Sequence, residues 1–514
     1  MMKRLINRFS ILCALLIFAG ISEATEVSKE VNWVGPNGSR IREVRVRPQT
    51  KTLKAATEPQ TQYSANVIDS PPIDGFVPWI VITTTDERLG DGEIDAIPET
   101  TYMGSPTPSN PQTDYAIGIF DTGASAHVFG YESAATLGLF NTTYLTDNTT
   151  VISGVTGEID AWVSQPIGVF TGGLNLLDPN QTSHVVNPKL TSTSHLIGES
   201  NVSVIVGDNP GSNPDLATAI GSPMSVFFGT NIRNDQIITV EKDGEIYNGP
   251  RIEFYNDPAH PSIPDYPIQV PLELRPLGAY WVEYVPYDIE DIMNLDFDPS
   301  SPSVIIGNSS QSLFFVSSVD LERGTYSAID KDRFMLDTGA QISVIGSRIG
   351  ARLGLDPDEW DFQVDIEGVT GEVTQAPGFY IDSVKIPAMG EWLEFTNVPM
   401  VLLDVASPEG GTLDGIIGMN LFTQYNMVLR GGGLFLFDDP SLELQRIVPM
   451  TADLAPEVRD GKVDLLDFIV FSEAWQSNNG SANWNADADL VSNDTIDSDD
   501  LHAFCEQWLM GVLP

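Results

Sequence analysis

DTGASAHVFGYESAATLGL (residues 121–139) and DTGAQISVIGSRIGARLGL (residues 337–355) follow one pattern. Asp-Thr-Gly-Ala opens both, and Val, Gly, Ala and Leu-Gly-Leu recur at the same offsets. Each copy is followed by the string GVTGE, at 154–158 and 368–372, and then by an apolar segment ending in Ile-Gly, LATAIG (216–221) and LDGIIG (413–418). At average composition a given Asp-Thr-Gly triplet falls roughly once in several thousand positions. Three shared landmarks in one order therefore indicate a duplicated unit. Both triplets follow an apolar, strand-like run, IGIF (117–120) and RFML (333–336).

Two aspartates placed in equivalent loops have a specific chemistry. Close carboxylates cannot both ionise easily, so one pKa falls, the other rises, and the pair shares a proton. The ionised member can take a proton from a water between them, while the protonated member donates to a carbonyl under attack. That titration belongs to the pair and fixes neither residue's role. A glycine after Asp-Thr lets backbone approach the carboxylate closely. A structural aspartate opening a turn is the competing reading of any single triplet. Other chemistries find no motif: there is no HExxH, no GxSxG, and the five histidines are scattered. His127, where the second copy has Ser343, reads as a packing or surface residue, with modulation of the site as the lesser alternative.

The arrangement apolar-apolar-Asp-Thr-Gly-Ala, glycine-rich hairpin, apolar-apolar-Gly resembles the aspartic proteases of the pepsin and retropepsin clan over roughly 80–450. The resemblance implies a mainly β fold of two homologous barrel-like lobes with the active site between them. It implies catalysis by Asp121 and Asp337, interlocking hydroxyls from Thr122 and Thr338, and flanking amides at Gly123 and Gly339. The Ile220-Gly221 and Ile417-Gly418 segments would pack behind their own loops. Gly154, Val155, Thr156 and Gly157, with Gly368, Val369, Thr370 and Gly371, match the substrate-covering flaps, where glycines suit a mobile turn. Both tips lack the tyrosine of pepsin, so the chain looks more like a fused retropepsin dimer. The implied activity is a hydrolase, an aspartic endopeptidase acting on proteins or peptides without a cofactor. A non-catalytic peptide-binding or adhesion protein keeping the same fold is the second reading.

Around this unit the chain divides further. Residues 1–24 read as a secretory signal: Lys3, Arg4 and Arg8, then an apolar run from Ile11 to Ala19, then Ser-Glu-Ala (22–24). The run is short for a membrane anchor. The chain is therefore expected to be secreted, extracellular or cell-surface-associated. Removing it leaves 23 basic and 70 acidic residues, a net charge of −47 against −45 for the whole chain. Such a surface repels a phosphate backbone, so nucleic acid is not an expected partner. With Cys13 in the signal, Cys505 remains alone, no internal disulfide can form, and Cys505 reads as a small buried hydrophobe. Residues 25–75 are polar and read as a poorly ordered or strand-adding segment, with removal as a propeptide an open alternative. The halves are placed at 76–275 and 276–450, with the Pro-, Asp- and aromatic-rich stretch 276–303 as a connection. The chain is expected to be a monomer.

Residues 451–514 change character, to aspartate-rich loops before aromatic helices. DGKVDLLDFIVFSEAW (460–475) and NDTIDSDDLHAFCEQW (493–508) repeat at an offset of 33. Phe468, Phe471 and Trp475, with Leu501, Phe504 and Trp508, fall at helical spacing on one face. The loops resemble EF-hand calcium loops, with ligands at positions 1, 3, 5, 7, 9 and 12. Asp489, Asn493, the Thr495 carbonyl, Asp497 and Asp500 take positions 1, 5, 7, 9 and 12, while Val491 and Asp494 depart from the pattern at 3 and 6. In the first loop Asp460, Asp464 and Asp467 fit positions 5, 9 and 12, with Asp453 a candidate first ligand of a lengthened loop. An Asp at position 12 resembles the dockerins, which implies a bound calcium and a cohesin domain as partner. A solvated acidic tail is the competing reading.

Overall fold

After Arg333 the runs IGIF and RFML are apolar, with no polar alternation, which suits strands covered on both faces. In the computed structural model they form the strands Ala116–Asp121 and Arg333–Leu336, buried along their length apart from exposed Arg333. The structure describes residues 27–34, 40–46, 67–85, 114–140, 144–154, 157–177, 184–191, 195–207, 218–221, 228–255, 258–276, 303–306, 312–329, 333–367, 373–407, 411–431, 440–447, 452, 454, 463, 465–491 and 493–506. The signal segment, Asp453, Trp508 and the stretch 277–302 lie outside them.

Among the described residues the chain is mainly β, in sheets of ten, thirteen and six strands. In the ten-stranded sheet Ala116–Asp121 lies parallel to Ala219–Gly221, which is antiparallel to Val128–Phe129. Ile205–Gly207 comes next, parallel to Val128–Phe129, and then the hairpin Gly157–Ser164 with Leu145–Gly154. The thirteen-stranded sheet repeats that sequence of pairings. Arg333–Leu336 lies parallel to Gly415–Ile417, antiparallel in turn to Ser343–Ile345, which is parallel to Glu391–Leu402. The hairpin of Val373–Ala388 and Phe362–Glu367 completes the order. The sequence repeat is thus a repeat of topology.

The six-stranded sheet joins the two halves. Its long hairpin, Gly229–Lys242 with Glu245–Tyr255, comes from the first half, and Tyr425–Arg430 and Ser441–Arg446 come from the second. Asn234 reinforces the junction by donating to the carbonyls of Phe422 and Tyr425, at 2.9 and 2.7 Å. A single apolar cluster runs through both halves, containing Phe120 and Ile220 of the first and Leu336, Ile417 and Phe422 of the second. Phe120 meets Phe254 edge-on at 5.3 Å. Burial of each such ring contributes about 2–3 kcal/mol.

Several segments pair across the sequence boundary between halves. Ser303–Ile306 lies beside Ile197–Val202 of the first half. The described parts of the N-terminal segment add strands to the second half. The hairpin Val27–Val34 with Arg40–Val46 extends the edge at Phe362–Glu367, and Val67–Asp69 pairs with Glu394–Thr396. The same stretch then anchors at Gly75, whose N–H donates to the Gln341 carbonyl at 2.8 Å. The Gln341 side-chain amide returns a bond to the Gly75 carbonyl at 2.7 Å.

At the C-terminus the helices Leu465–Ala474 and Ser498–Glu506 pack around their own cluster of Val463, Phe471, Ala474, Ala488, Ile496 and Phe504. Phe471 and Phe504 stack at 5.0 Å, while Phe468 is 39% exposed. Cys505 is exposed, contrary to the sequence expectation. It follows buried Phe504, and one residue turns a helix by about 100°, which carries the thiol off the packed stripe. Among the described residues no helix is long and apolar enough to cross a membrane.

Candidate active site

Each strand that carries an aspartate ends in a tight turn over the next two residues, Thr-Gly, and the turn folds the backbone back onto the carboxylate. Asp121 Oδ1 accepts from the N–H groups of Gly123 at 2.8 Å and Ala124 at 3.1 Å. Asp337 Oδ1 accepts from Gly339 and Ala340 at the same two distances, 2.8 and 3.1 Å. The two loops then lock together through their threonines. Thr122 Oγ1 donates to the Leu336 carbonyl at 2.8 Å and accepts from the Thr338 N–H at 3.0 Å. Thr338 Oγ1 donates to the Phe120 carbonyl at 2.6 Å and accepts from the Thr122 N–H at 3.1 Å. Four bonds, two in each direction, satisfy every polar group of both hydroxyls in a site where an unpaired group costs about 1–3 kcal/mol.

This lock brings the two carboxyl groups face to face. A Cβ on Gly123 would stand 2.4 Å from Asp337 Cγ, and one on Gly339 would stand 2.6 Å from Asp121 Cγ. Any side chain at either glycine would displace the opposite carboxylate. Asp121 and Asp337 are 2% and 0% exposed. Burial raises both pKa values above the ordinary carboxylate range. At Asp121 the rise is opposed by hydrogen bonds from Asp337, Gly123 and Ala124. Asp337 is pushed well up, by burial first, then by the adjacent Asp121 charge and the bond between the two side chains. Asp337 Oδ2 is buried and meets no donor among the described residues when both groups are ionised. A proton shared between the carboxyls supplies one. The arrangement can therefore hold one proton and one negative charge side by side, which suits activation of a water and protonation of an oxygen in one step.

Of the flap residues, Gly154 and Gly157 face each other as the last pair of the first hairpin. Val155 and Thr156 lie outside the described residues, as do Gly368, Val369, Thr370 and Gly371. In the second hairpin the last pair is Glu367 with Val373.

The C-terminal loop carries Asp489, Asn493, Thr495, Asp497 and Asp500, organised by hydrogen bonds to its own backbone. Asp489 accepts from the amides of Asn493 and Asp494 at 3.1 and 3.0 Å. Asp500 is fully buried and both its oxygens accept backbone amides, from Val491 at 2.9 Å and Asp497 at 2.8 Å. Asp467, also buried, accepts from Leu454 N–H at 2.6 Å. Asp460 and Asp464 lie outside the described residues. Among the described residues no three His, Cys, Asp or Glu side chains gather as a metal-holding group.

Sequence reasoning overlooked the amides of Ala124 and Ala340 and the role of Asn420, and gave His127 a role at the site only as the lesser alternative. The alanines recur in both copies, but a backbone donor leaves no residue-type signature. His127 is buried, 1% exposed, and its Nδ1 accepts from the Gly221 N–H at 3.0 Å.

Comparison with known proteins adds the following. No curated protein matches this chain. The aspartic proteinase from Irpex lacteus is a solved structure that matches at 12% identity and a TM-score of 0.35, covering 73% of this chain and 98% of its own. The family model described as Aspartyl protease matches residues 329–421. That span contains Asp337, its loop and the Ile417-Gly418 segment, so this part of the chain is similar to the aspartyl proteases.

Proposed function

We propose that the chain is an aspartic endopeptidase in which Asp121 and Asp337 form the catalytic dyad between two homologous lobes. The observation that carries this is the reciprocal threonine lock, which holds two buried aspartates opposite one another with a symmetric set of amide donors. In the reaction one carboxylate takes a proton from water as its oxygen attacks the peptide carbonyl carbon. The protonated partner gives its proton to the carbonyl oxygen. Collapse of the diol breaks the C–N bond, and the amine leaves with a proton returned through the pair. The Thr-Gly turns keep the carboxyls in place without reorganisation, the main electrostatic contribution available here.

The test is cleavage of a peptide library by the purified chain between about pH 3 and pH 8, beside Asp337→Asn. Internal cuts that vanish in the variant support the dyad. Peptide binding without cuts in either protein would leave a non-catalytic binder.

Export and tethering belong to the same proposal. The signal-like residues 1–24 would direct secretion, and N-terminal sequencing of exported protein should then begin at Thr25 or beyond. The C-terminal helices would form a dockerin-like module for a cohesin-type domain. Its helix Leu465–Ala474 presents Leu465, Leu466 and Ile469 to solvent, an apolar face suited to a partner. For calcium, the loop offers Asp489, Asn493, Asp497 and the Thr495 carbonyl. Val491 supplies no side-chain ligand, and Asp489 and Asp500 each also accept two backbone amides. That is a smaller set than the six to eight oxygens calcium takes, so a dissociation constant of about 10⁻⁴–10⁻³ M is expected.

A further inference from the structure

The Ile-Gly segment behind each aspartate loop is tied to that loop differently in the two halves. In the second half the tie is a hydroxyl backed by an amide. Ser343 Oγ accepts from the Gly418 N–H at 3.0 Å and donates to Asn420 Oδ1 at 2.8 Å. Asn420 Oδ1 also accepts from the Ser343 N–H at 2.9 Å, and its amide donates to the Pro399 carbonyl at 3.1 Å. Ser343 and Asn420 are both fully buried. In the first half the position of Ser343 is held by His127, and the position of Asn420 is Pro223, whose side chain has no hydrogen-bonding group. The Gly221 N–H nevertheless has a partner in the same place, His127 Nδ1 at 3.0 Å. The ring's proton then sits on Nε2, because a nitrogen that accepts carries none.

Gly221 is close to the reacting group. It stands opposite Asp121 in the parallel pairing of Ala219–Gly221 with Ala116–Asp121. A Cβ there would come 2.7 Å from the Ala124 carbonyl oxygen and 2.5 Å from that of Ala126, so the aspartate loop wraps directly around this glycine. Ala124 is also one of the two amide donors to Asp121. The chain from Asp121 to His127 thus closes on itself, from carboxylate to Ala124, Ala124 to Gly221, and Gly221 to His127. The His127 carbonyl extends the tie outward by accepting from the Ile205 N–H at 2.9 Å.

We propose that His127 is a positioning residue of the first aspartate loop, doing through Nδ1, among the described residues, what Ser343 and Asn420 do together in the second. The duplicated unit has solved one geometric requirement with two side-chain chemistries. The consequence is that, among the described residues, the side-chain tie between the Asp121 loop and its Ile-Gly strand rests on one imidazole, where the Asp337 loop has a hydroxyl backed by an amide. This inference rests on the proposed peptidase reading only for its kinetic arm.

The test uses the full chain and two substitutions. His127→Asn keeps an acceptor, Oδ1, near the position of Nδ1, and His127→Leu fills similar space without one. For a fluorogenic peptide cut by the wild type, His127→Leu should lower kcat by about 10- to 100-fold with KM changed less than about threefold, since a misplaced reacting group costs up to about 10²-fold. His127→Asn should restore most of the loss. Hydrogen exchange of the peptide containing 219–221 supplies a readout independent of activity. The Gly221 amide should exchange faster in His127→Leu and remain protected in His127→Asn. If His127→Leu keeps wild-type kcat and wild-type exchange, His127 merely fills space and the proposal fails. If both variants lose kcat alike with unchanged exchange at Gly221, it fails too. A wild type that cuts nothing would sink the peptidase reading, while the exchange comparison would still decide the role of His127. Should His127→Leu not fold, protection of Gly221 in His127→Asn decides: retention supports the tie, and loss overturns it.

Discussion

Asp337 and Thr122 show how single groups set the behaviour of this site. Burial and the neighbouring Asp121 charge keep the Asp337 pKa well above its ordinary value of 3.8. Between that value and the raised one, the folded chain holds a proton that the unfolded chain has released. The folded state is then the better proton binder, so the contribution is fully present below the ordinary value and lost as pH rises through the raised one. Urea unfolding across this window should show the wild type losing stability with rising pH relative to Asp337→Asn. A parallel pair of curves would mean that the carboxyls do not share a proton. Hydrolysis should fall by about 10³-fold or more in the same variant. Thr122→Val removes one donor and one acceptor in a buried lock and strands the Thr338 amide and Leu336 carbonyl. A loss of about 2–4 kcal/mol is expected from thermal or urea unfolding, and an unchanged midpoint would show that the lock carries little stability.

At the scale of elements, the N-terminal segment is part of the second half's architecture. Val67–Asp69 is a strand beside Glu394–Thr396, and Gly75 and Gln341 exchange two hydrogen bonds next to the Asp337 loop. Any maturation that removes a propeptide should therefore cut before Val67. A chain beginning near residue 60 should keep the wild-type unfolding midpoint within a few degrees. One beginning at Phe76 loses the clamp and should be less stable by about 2 kcal/mol or more. Equal stability of the two would show the clamp to be incidental. The same strand logic applies to the outer hairpin. Arg40–Val46 contributes RIREVRV as an antiparallel neighbour of FQVDIE, Phe362–Glu367. Its removal should raise the exchange rate of amides in 362–367, because paired strand amides become an open edge.

Across the whole molecule the two halves share one core and one six-stranded sheet. Arg430 anchors that sheet. It donates to Glu443 at 2.7 Å, to the Pro258 carbonyl at 2.7 Å and to Asp265 at 2.9 Å, with Glu443 only 5% exposed. Arg430→Met should leave a buried carboxylate unpaired and cost about 3–5 kcal/mol in a single cooperative unfolding step. Two separated transitions within residues 67–447 would instead mean that the halves unfold independently. The C-terminal helices have their own apolar cluster, so calcium should raise only a transition belonging to residues beyond 451.

The sequence alone determined the repeat, and with it the expectation of a duplicated unit. An aspartate after an apolar strand, a glycine-rich hairpin and an Ile-Gly strand recur in the same order and fold into the same run of parallel and antiparallel neighbours. It also marked Asp121 and Asp337 as equivalent positions, because side-chain chemistry at fixed spacing survives in one dimension, while the roles of the threonines came from the family resemblance. Tertiary structure decided what spacing cannot carry. Residues 216 positions apart share hydrogen bonds at the lock, strands cross between halves, and Gly221 and Gly418 meet different partners behind equivalent loops. His127 illustrates the physical reason: an isolated histidine in a sequence has no visible acceptor or donor, and only the fold brings a backbone amide to its Nδ1.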